Sequence, residues 1–214
     1  REAHEARQKC GLFVLWGQVK QSTDLNYMET TLRLETKALE QGLIEAIVST
    51  EKQDRHGDII RVAGWDLTEF LKHPVLLANH DYGDIRAQIG EWVSMEPDTR
   101  RKQLIGVARY NLGANNPIAE YAYWLAAHGQ AAFSVGFQPD MDKAKRLEDD
   151  NSRFMPSYEF NGQKMLETSQ VTIPANPEAL QRIKAYLGDS EERIAQLLEA
   201  LETHTHHAPA PVEN

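Results

Sequence analysis

The segment from residue 131 to residue 137 restricts the fold more than any other stretch of this chain. In an extended strand, successive side chains point to opposite faces of the sheet. The segment therefore places three bulky apolar side chains on one face and three small residues on the other: Phe133, Val135 and Phe137 against Ala132, Ser134 and Gly136. This pattern predicts a strand whose bulky face packs into a core. The hydroxyl of Ser134 then has space around it, either for a substrate or for a covering helix.

Two further strand-like segments carry side chains that could activate a serine. The apolar run from Pro74 ends at His80, and histidine is the usual base at neutral pH because its ordinary pKa is about 6.5. In the segment 165–173, alternation places Glu167 on the same face as Met165. A carboxylate on an apolar face needs a partner. We therefore expect the Glu167 carboxylate within hydrogen-bond reach of a His80 ring nitrogen.

Glu167 and His80 also have purely structural interpretations. The Glu167 carboxylate could pair with a buried arginine, such as Arg86 or Arg109. His80 could simply end its strand with its hydrogen bonds satisfied. Ser169, two positions after Glu167 and on the same face, could hold the carboxylate in place in either case.

The order of several short motifs resembles that of the prohead (capsid maturation) proteases of tailed phages, the HK97-like group. The resemblance covers about residues 30 to 180, and its motifs are Asp54–Ile60, Gly64–Phe70, His73–Leu77 leading to His80, Gly90, Phe133–Phe137, Leu166–Val171 and Pro174–Pro177. The chain departs from the family pattern at Gln170, where an apolar residue is expected, and in the long charged stretch 140–163.

The resemblance implies a serine endopeptidase with Ser134 as nucleophile, His80 as general base and Glu167 as third member of a triad. It implies no cofactor. Its implied substrates are scaffolding and major capsid proteins, and the protease itself, inside a procapsid in the host cytoplasm. The family is similar in fold to herpesvirus assemblin proteases, which use a second histidine. His128 is therefore the alternative third member, although it ends a predicted helix that begins at Asn116.

The fold predicted from these patterns is mainly β with peripheral helices, an antiparallel barrel of the assemblin and prohead protease type. We expect a lead-in segment at 1–28, the barrel domain at 29–188, a C-terminal helix at 189–203 and a disordered, proline-broken tail at 204–214. A helix is predicted to begin at Asn176–Pro177 and to end near residue 187. The apolar stripes of the two last helices favour a homodimer or a higher assembly, although the same stripes could pack on the barrel instead.

Composition narrows the function classes further. The formal net charge is −9, which argues against nucleic acid as a partner, because phosphate binding needs clustered Lys and Arg. No apolar run approaches the roughly 20 residues of a membrane-spanning helix, so no membrane partner is expected. A single cysteine, Cys10, cannot form an internal disulfide.

Two other functions remain open at the level of the sequence. The first is a non-catalytic assembly module that uses a protease-like barrel as a scaffold. The second is a metal-dependent phosphohydrolase, because the pair His80–Asp81 resembles the metal-binding pair of HD phosphohydrolases, with further potential ligands at His56, Asp58 and Asp84. HD phosphohydrolases are helical, whereas His80 ends a β-like run.

Overall fold

Strands form most of the regular secondary structure of the described chain, because short apolar and β-branched runs alternate with turn residues. The structure is a computed structural model and describes residues 41–147 and 156–181. Its strands are β1 (Leu43–Thr50), β2 (Ile59–Ile60), β3 (Trp65–Asp66), β4 (Val75–Ala78), β5 (Gln88–Asp98), β6 (Gln103–Tyr110), β7 (Ala132–Pro139), β8 (Lys145–Arg146), β9 (Tyr158–Phe160) and β10 (Gln163–Val171). The helix α1 spans Pro117–Ala127, and 3-10 helices span Val62–Gly64, Phe70–Lys72 and Ile85–Ala87.

The main sheet is curled and mixed. Its order is β1-β6-β5-β4-β10-β3, and β7 pairs with the other edge of β10. The sequence predicted an antiparallel sheet, but β10 runs parallel to β3 and β4. A parallel pair needs a long crossover connection, and the hairpin β5–β6, the helix α1 and strand β7 all lie between β4 and β10. A second, small sheet has the order β2-β9-β8.

The core lies inside the curl of the main sheet. Phe133 of β7 is fully buried there and meets Trp92 of β5 edge to face, with ring centroids 5.6 Å apart. The helix α1 turns its small residues toward this core, since Ala119, Ala122 and Ala126 are buried. The predicted alternation of β7 therefore places Phe133 inward, while Ser134 and Gly136 lie partly exposed on the other face. No helix in the described ranges is long and apolar enough to cross a membrane.

The segment after Asn176 does not begin the predicted helix. Asn176 Oδ1 accepts a hydrogen bond from the Glu178 amide, which makes a turn instead of a helix start. The next residues are extended and lie between two strands: Leu180 forms a bridge with Ala132 of β7, and Gln181 forms one with Ala46 of β1. The remainder of that predicted helix, the C-terminal helix 189–203, the tail and the lead-in segment 1–28 lie outside the described residues.

Candidate active site

His80 is presented by a sharp turn at the end of β4. Asn79 and His80 both adopt left-handed backbone conformations, with φ of 52° and 55°, which are uncommon for residues other than glycine. Two hydrogen bonds to β10 hold the turn: the Asn79 amide donates to the Gln170 carbonyl at 2.9 Å, and the His80 amide donates to Ser169 Oγ at 3.0 Å. The turn therefore brings the His80 side chain back over β10. Strained backbone of this kind is frequent at functional sites.

The imidazole of His80 contacts the carboxylate of Glu167. The distance from His80 Nδ1 to Glu167 Oε1 is 2.6 Å, which is the contact expected from the sequence. The Glu167 side chain is 3% exposed and that of His80 is 35% exposed. The hydrogen bond to Glu167 raises the pKa of His80 above its ordinary 6.5, the partial burial of the ring opposes this rise, and the negative charge of Glu167 adds to it.

A β-bulge decides which face of β10 carries Glu167. Met165 lies opposite Phe137 of β7, and Glu167 lies opposite Gly136. Moving by two residues along β10 therefore corresponds to moving by only one residue along β7. The extra residue, Leu166, reverses the alternation. The prediction that Glu167 shares a face with Met165 is therefore wrong. Met165 points into the core, and Glu167 lies on the opposite face with Ser169.

Two further side chains hold the Glu167 carboxylate, and one of them has no evident signal in the sequence. Ser169 Oγ donates to Glu167 Oε2 at 2.7 Å while accepting from the His80 amide, so one hydroxyl ties the acid to the base. Tyr82, which the sequence reasoning missed, donates from its hydroxyl to Glu167 Oε1 at 3.3 Å. Burial of its hydroxyl and the charge of Glu167 raise the pKa of Tyr82.

Ser134 lies on the same face of the sheet as this network. In the β7–β10 register it is the direct partner of Ser169, and side chains at such positions have Cβ atoms about 4.5–5.5 Å apart. Within the described residues, no hydrogen bond joins the Ser134 hydroxyl to His80. In free enzymes, catalytic hydrogen bonds are often long and tighten only when substrate binds. The structure thus brings His80 and Glu167 into contact and places Ser134 one strand away.

The space beside Gly136 is occupied by the Glu167 carboxylate, so it is not available to a substrate. A methyl group at this position would lie 3.1 Å from both Glu167 Cδ and the Tyr82 hydroxyl oxygen, and closer still to Glu167 Oε1. The small face of β7 is therefore used in two ways. Gly136 makes room for the Glu167 carboxylate, and Ser134 stands beside it.

The alternative pairing of Glu167 with a buried arginine is not observed among the described residues. Arg86 pairs with Asp84, and Arg109 pairs with Glu91, so neither arginine pairs with Glu167. His128 is exposed at the end of α1, where its Nδ1 lies 2.7 Å from the Trp124 carbonyl oxygen and its ring stacks on the indole.

Gln170 stands where the family pattern has an apolar residue, and its contacts explain why a polar side chain is tolerated there. It is buried on the core face of β10, where its amide oxygen accepts from the Tyr110 hydroxyl at 2.6 Å and its amide nitrogen donates to the Ala122 carbonyl at 3.1 Å. A polar side chain replaces the expected apolar one because both ends of its amide are satisfied.

The candidate metal ligands are not assembled into a site. Asp81 accepts from the Gly83 amide and Asp84 pairs with Arg86, so each acid near His80 has a local partner. Across residues 41–147 and 156–181, no group of three His, Cys, Asp or Glu side chains is arranged to hold a metal ion.

Comparisons of the chain with protein-family models, with curated proteins and with solved structures found no match. The function of the site is therefore inferred from its geometry alone.

Proposed function

We propose that this protein is a serine endopeptidase in which Ser134 is the nucleophile, His80 the general base and Glu167 the residue that orients the base. The observation that carries the proposal is the 2.6 Å contact between His80 Nδ1 and a buried carboxylate, on the face of the sheet where Ser134 stands. A histidine that binds a carboxylate through one ring nitrogen and faces a serine with the other is the arrangement that activates a hydroxyl.

In the proposed mechanism, each ring nitrogen of His80 has its own role. Nδ1 is occupied by Glu167, which leaves Nε2 to accept the proton of the Ser134 hydroxyl as its oxygen attacks the scissile carbonyl. The imidazolium formed in this step is stabilised by the Glu167 carboxylate. His80 then donates its proton to the departing amine, and a water molecule hydrolyses the acyl-enzyme by the same route in reverse.

We further propose that the protease is of the prohead maturation type, with a barrel core like that of the assemblin proteases in which β10 makes the parallel pairings. The extended segment 179–181 supports this part of the proposal, because it lies between β1 and β7 and links the two ends of the curled sheet. Its substrates would be scaffolding and major capsid proteins, and the protease itself, inside the procapsid. Self-association through the C-terminal region belongs to the same proposal.

Co-expression with candidate scaffolding and major capsid proteins tests the proposal. We expect fragments whose new termini, read by terminal sequencing, define one cleavage motif. The Ser134→Ala variant should yield no fragments, and Ser94→Ala, on a strand away from the site, is the matched control. Full processing by Ser134→Ala would refute the assignment. Intact partners that assemble around the folded wild type without cleavage would favour the assembly module, and activity lost on chelation would favour the metal enzyme.

A further inference from the structure

A cleft of about 600 Å³ opens between the helix α1 and the ends of β4 and β10. Ile118, Tyr121 and Leu125 line it from the helix, and Ala78 and Val171 line it from the two strands. We call this space the α1 cleft. Its volume lies within the range of about 300–1,000 Å³ that is typical of ligand pockets.

The lining of the α1 cleft is suited to an apolar occupant. None of its described lining side chains is charged. Besides the Tyr121 hydroxyl, its polar lining side chains are those of Asn79, Gln130, Gln170 and Thr172. The Gln170 amide already bonds to the Tyr110 hydroxyl and to the Ala122 carbonyl. Ile118 is 39% exposed and Tyr121 is 62% exposed, so apolar surface remains open to solvent. Covering that surface with an aliphatic or aromatic group would be favourable.

The α1 cleft borders the candidate active site on two strands. Asn79, which lines it, directly precedes His80. Val171, which also lines it, pairs with Ala132 of β7, two residues before Ser134. Two residues of an extended strand span about 7 Å. A peptide whose carbonyl lies at Ser134 would therefore reach the α1 cleft with a side chain close to the scissile bond.

We propose that the α1 cleft is the specificity pocket of the enzyme and binds an aliphatic or aromatic side chain of the substrate, one to three residues from the scissile bond. The inference rests on the proposed function, because it names the substrate class of the same site. Ile118 determines the specificity, because it lines the cleft from the first turn of α1 and remains partly exposed. Tyr121, one helical turn further on, flanks the same opening.

The test is a peptide library cleaved by the full chain, with products identified by mass spectrometry. We expect Leu, Ile, Met or Phe to dominate at one position next to the cleavage site. Ile118→Arg should lower kcat/KM for such peptides by about 10- to 100-fold, the range that apolar pocket contacts control, and relax the preference or shift it toward acidic side chains. Leu71→Arg is the matched control, because Leu71 is 48% exposed and does not line the cleft, and it should keep the wild-type preference.

Cleavage without side-chain preference, or an apolar preference that survives Ile118→Arg, would refute the inference while the peptidase proposal stands.

A binding experiment that needs no cleavage separates a failure of the specificity pocket from a failure of the peptidase proposal. In the Ser134→Ala variant, N-acetyl-leucine amide should shift the methyl NMR signals of Ile118 and Val171, and N-acetyl-glycine amide should not. If the library is not cleaved at all, the peptidase proposal fails, and these shifts then decide whether the α1 cleft binds apolar groups. Equal or absent shifts would refute the inference.

Discussion

Gly136→Ala is the substitution that tests the packing of the site most sharply. The added methyl group would lie 3.1 Å from Glu167 Cδ, whereas optimal carbon–carbon contacts are about 3.5–4.0 Å. The carboxylate must therefore withdraw, but Ser169 holds one of its oxygens at 2.7 Å and His80 holds the other at 2.6 Å. The clash can be relieved only by breaking one of these bonds or by moving β7.

Either response has a measurable cost. We expect Gly136→Ala to lower the free energy of unfolding by about 1–3 kcal/mol, the usual cost of overpacking. Peptidase activity should fall by about 100-fold, as expected when a catalytic group is displaced by about 1 Å. Urea unfolding and cleavage of a model peptide measure the two effects. Gly83→Ala is the matched control, because a methyl group there meets only the Asp81 side chain, at 3.4 Å.

A shorter acid should relieve the clash. Adding Glu167→Asp to Gly136→Ala removes one methylene from the acid. The double variant should therefore lose less stability than the sum of the losses in the two single variants. Strictly additive losses of stability, or a Gly136→Ala protein as stable and active as the wild type, would contradict the described position of Glu167.

Three further predictions concern single side chains. Glu167→Gln should lower the pKa of His80, measured by NMR titration of the ring, because the Glu167 carboxylate raises that pKa. A raised histidine pKa stabilises the fold below about pH 6.5, and this stabilisation is lost as the pH rises through the raised value. The difference in stability between wild type and Glu167→Gln should therefore shrink toward alkaline pH. Gln170→Leu should cost about 1–3 kcal/mol in urea unfolding because it leaves the buried Tyr110 hydroxyl without its acceptor. His128→Gln should change peptide cleavage less than twofold, and a loss comparable to that of Glu167→Gln would make it the third member instead.

Much of the fold follows from local sequence signals. The helix cap at Asn116 and the alternation of β7 occur where the sequence predicts them, because each depends on residues that are close in the chain. The Asn176–Pro177 signal failed for a related reason. An Asx turn and a helix cap use the same local hydrogen bond, and the bridges of Leu180 and Gln181 to distant strands decide between them.

The candidate site was only partly predictable. His80 and Glu167 were paired from the chemistry that each residue needs, and the structure brings them together. The face of Glu167 was not predictable, because the bulge at Leu166 depends on the register with β7. The role of Gly136 was not predictable either, because a glycine beside Ser134 suggests open space. The contact of Tyr82 with Glu167 was not predictable because it exists only after the turn at His80 has formed.

Labelling with a fluorophosphonate, followed by peptide mapping, tests the central claim most directly. Such reagents form a stable bond with a serine only when a base activates its hydroxyl. We predict one labelled residue, Ser134. The labelling rate should fall on acidification through the raised pKa of His80, because only the neutral imidazole can accept the proton, and labelling should be lost in His80→Gln. A folded protein that is not labelled, or one labelled elsewhere with Ser134 untouched, would contradict the account.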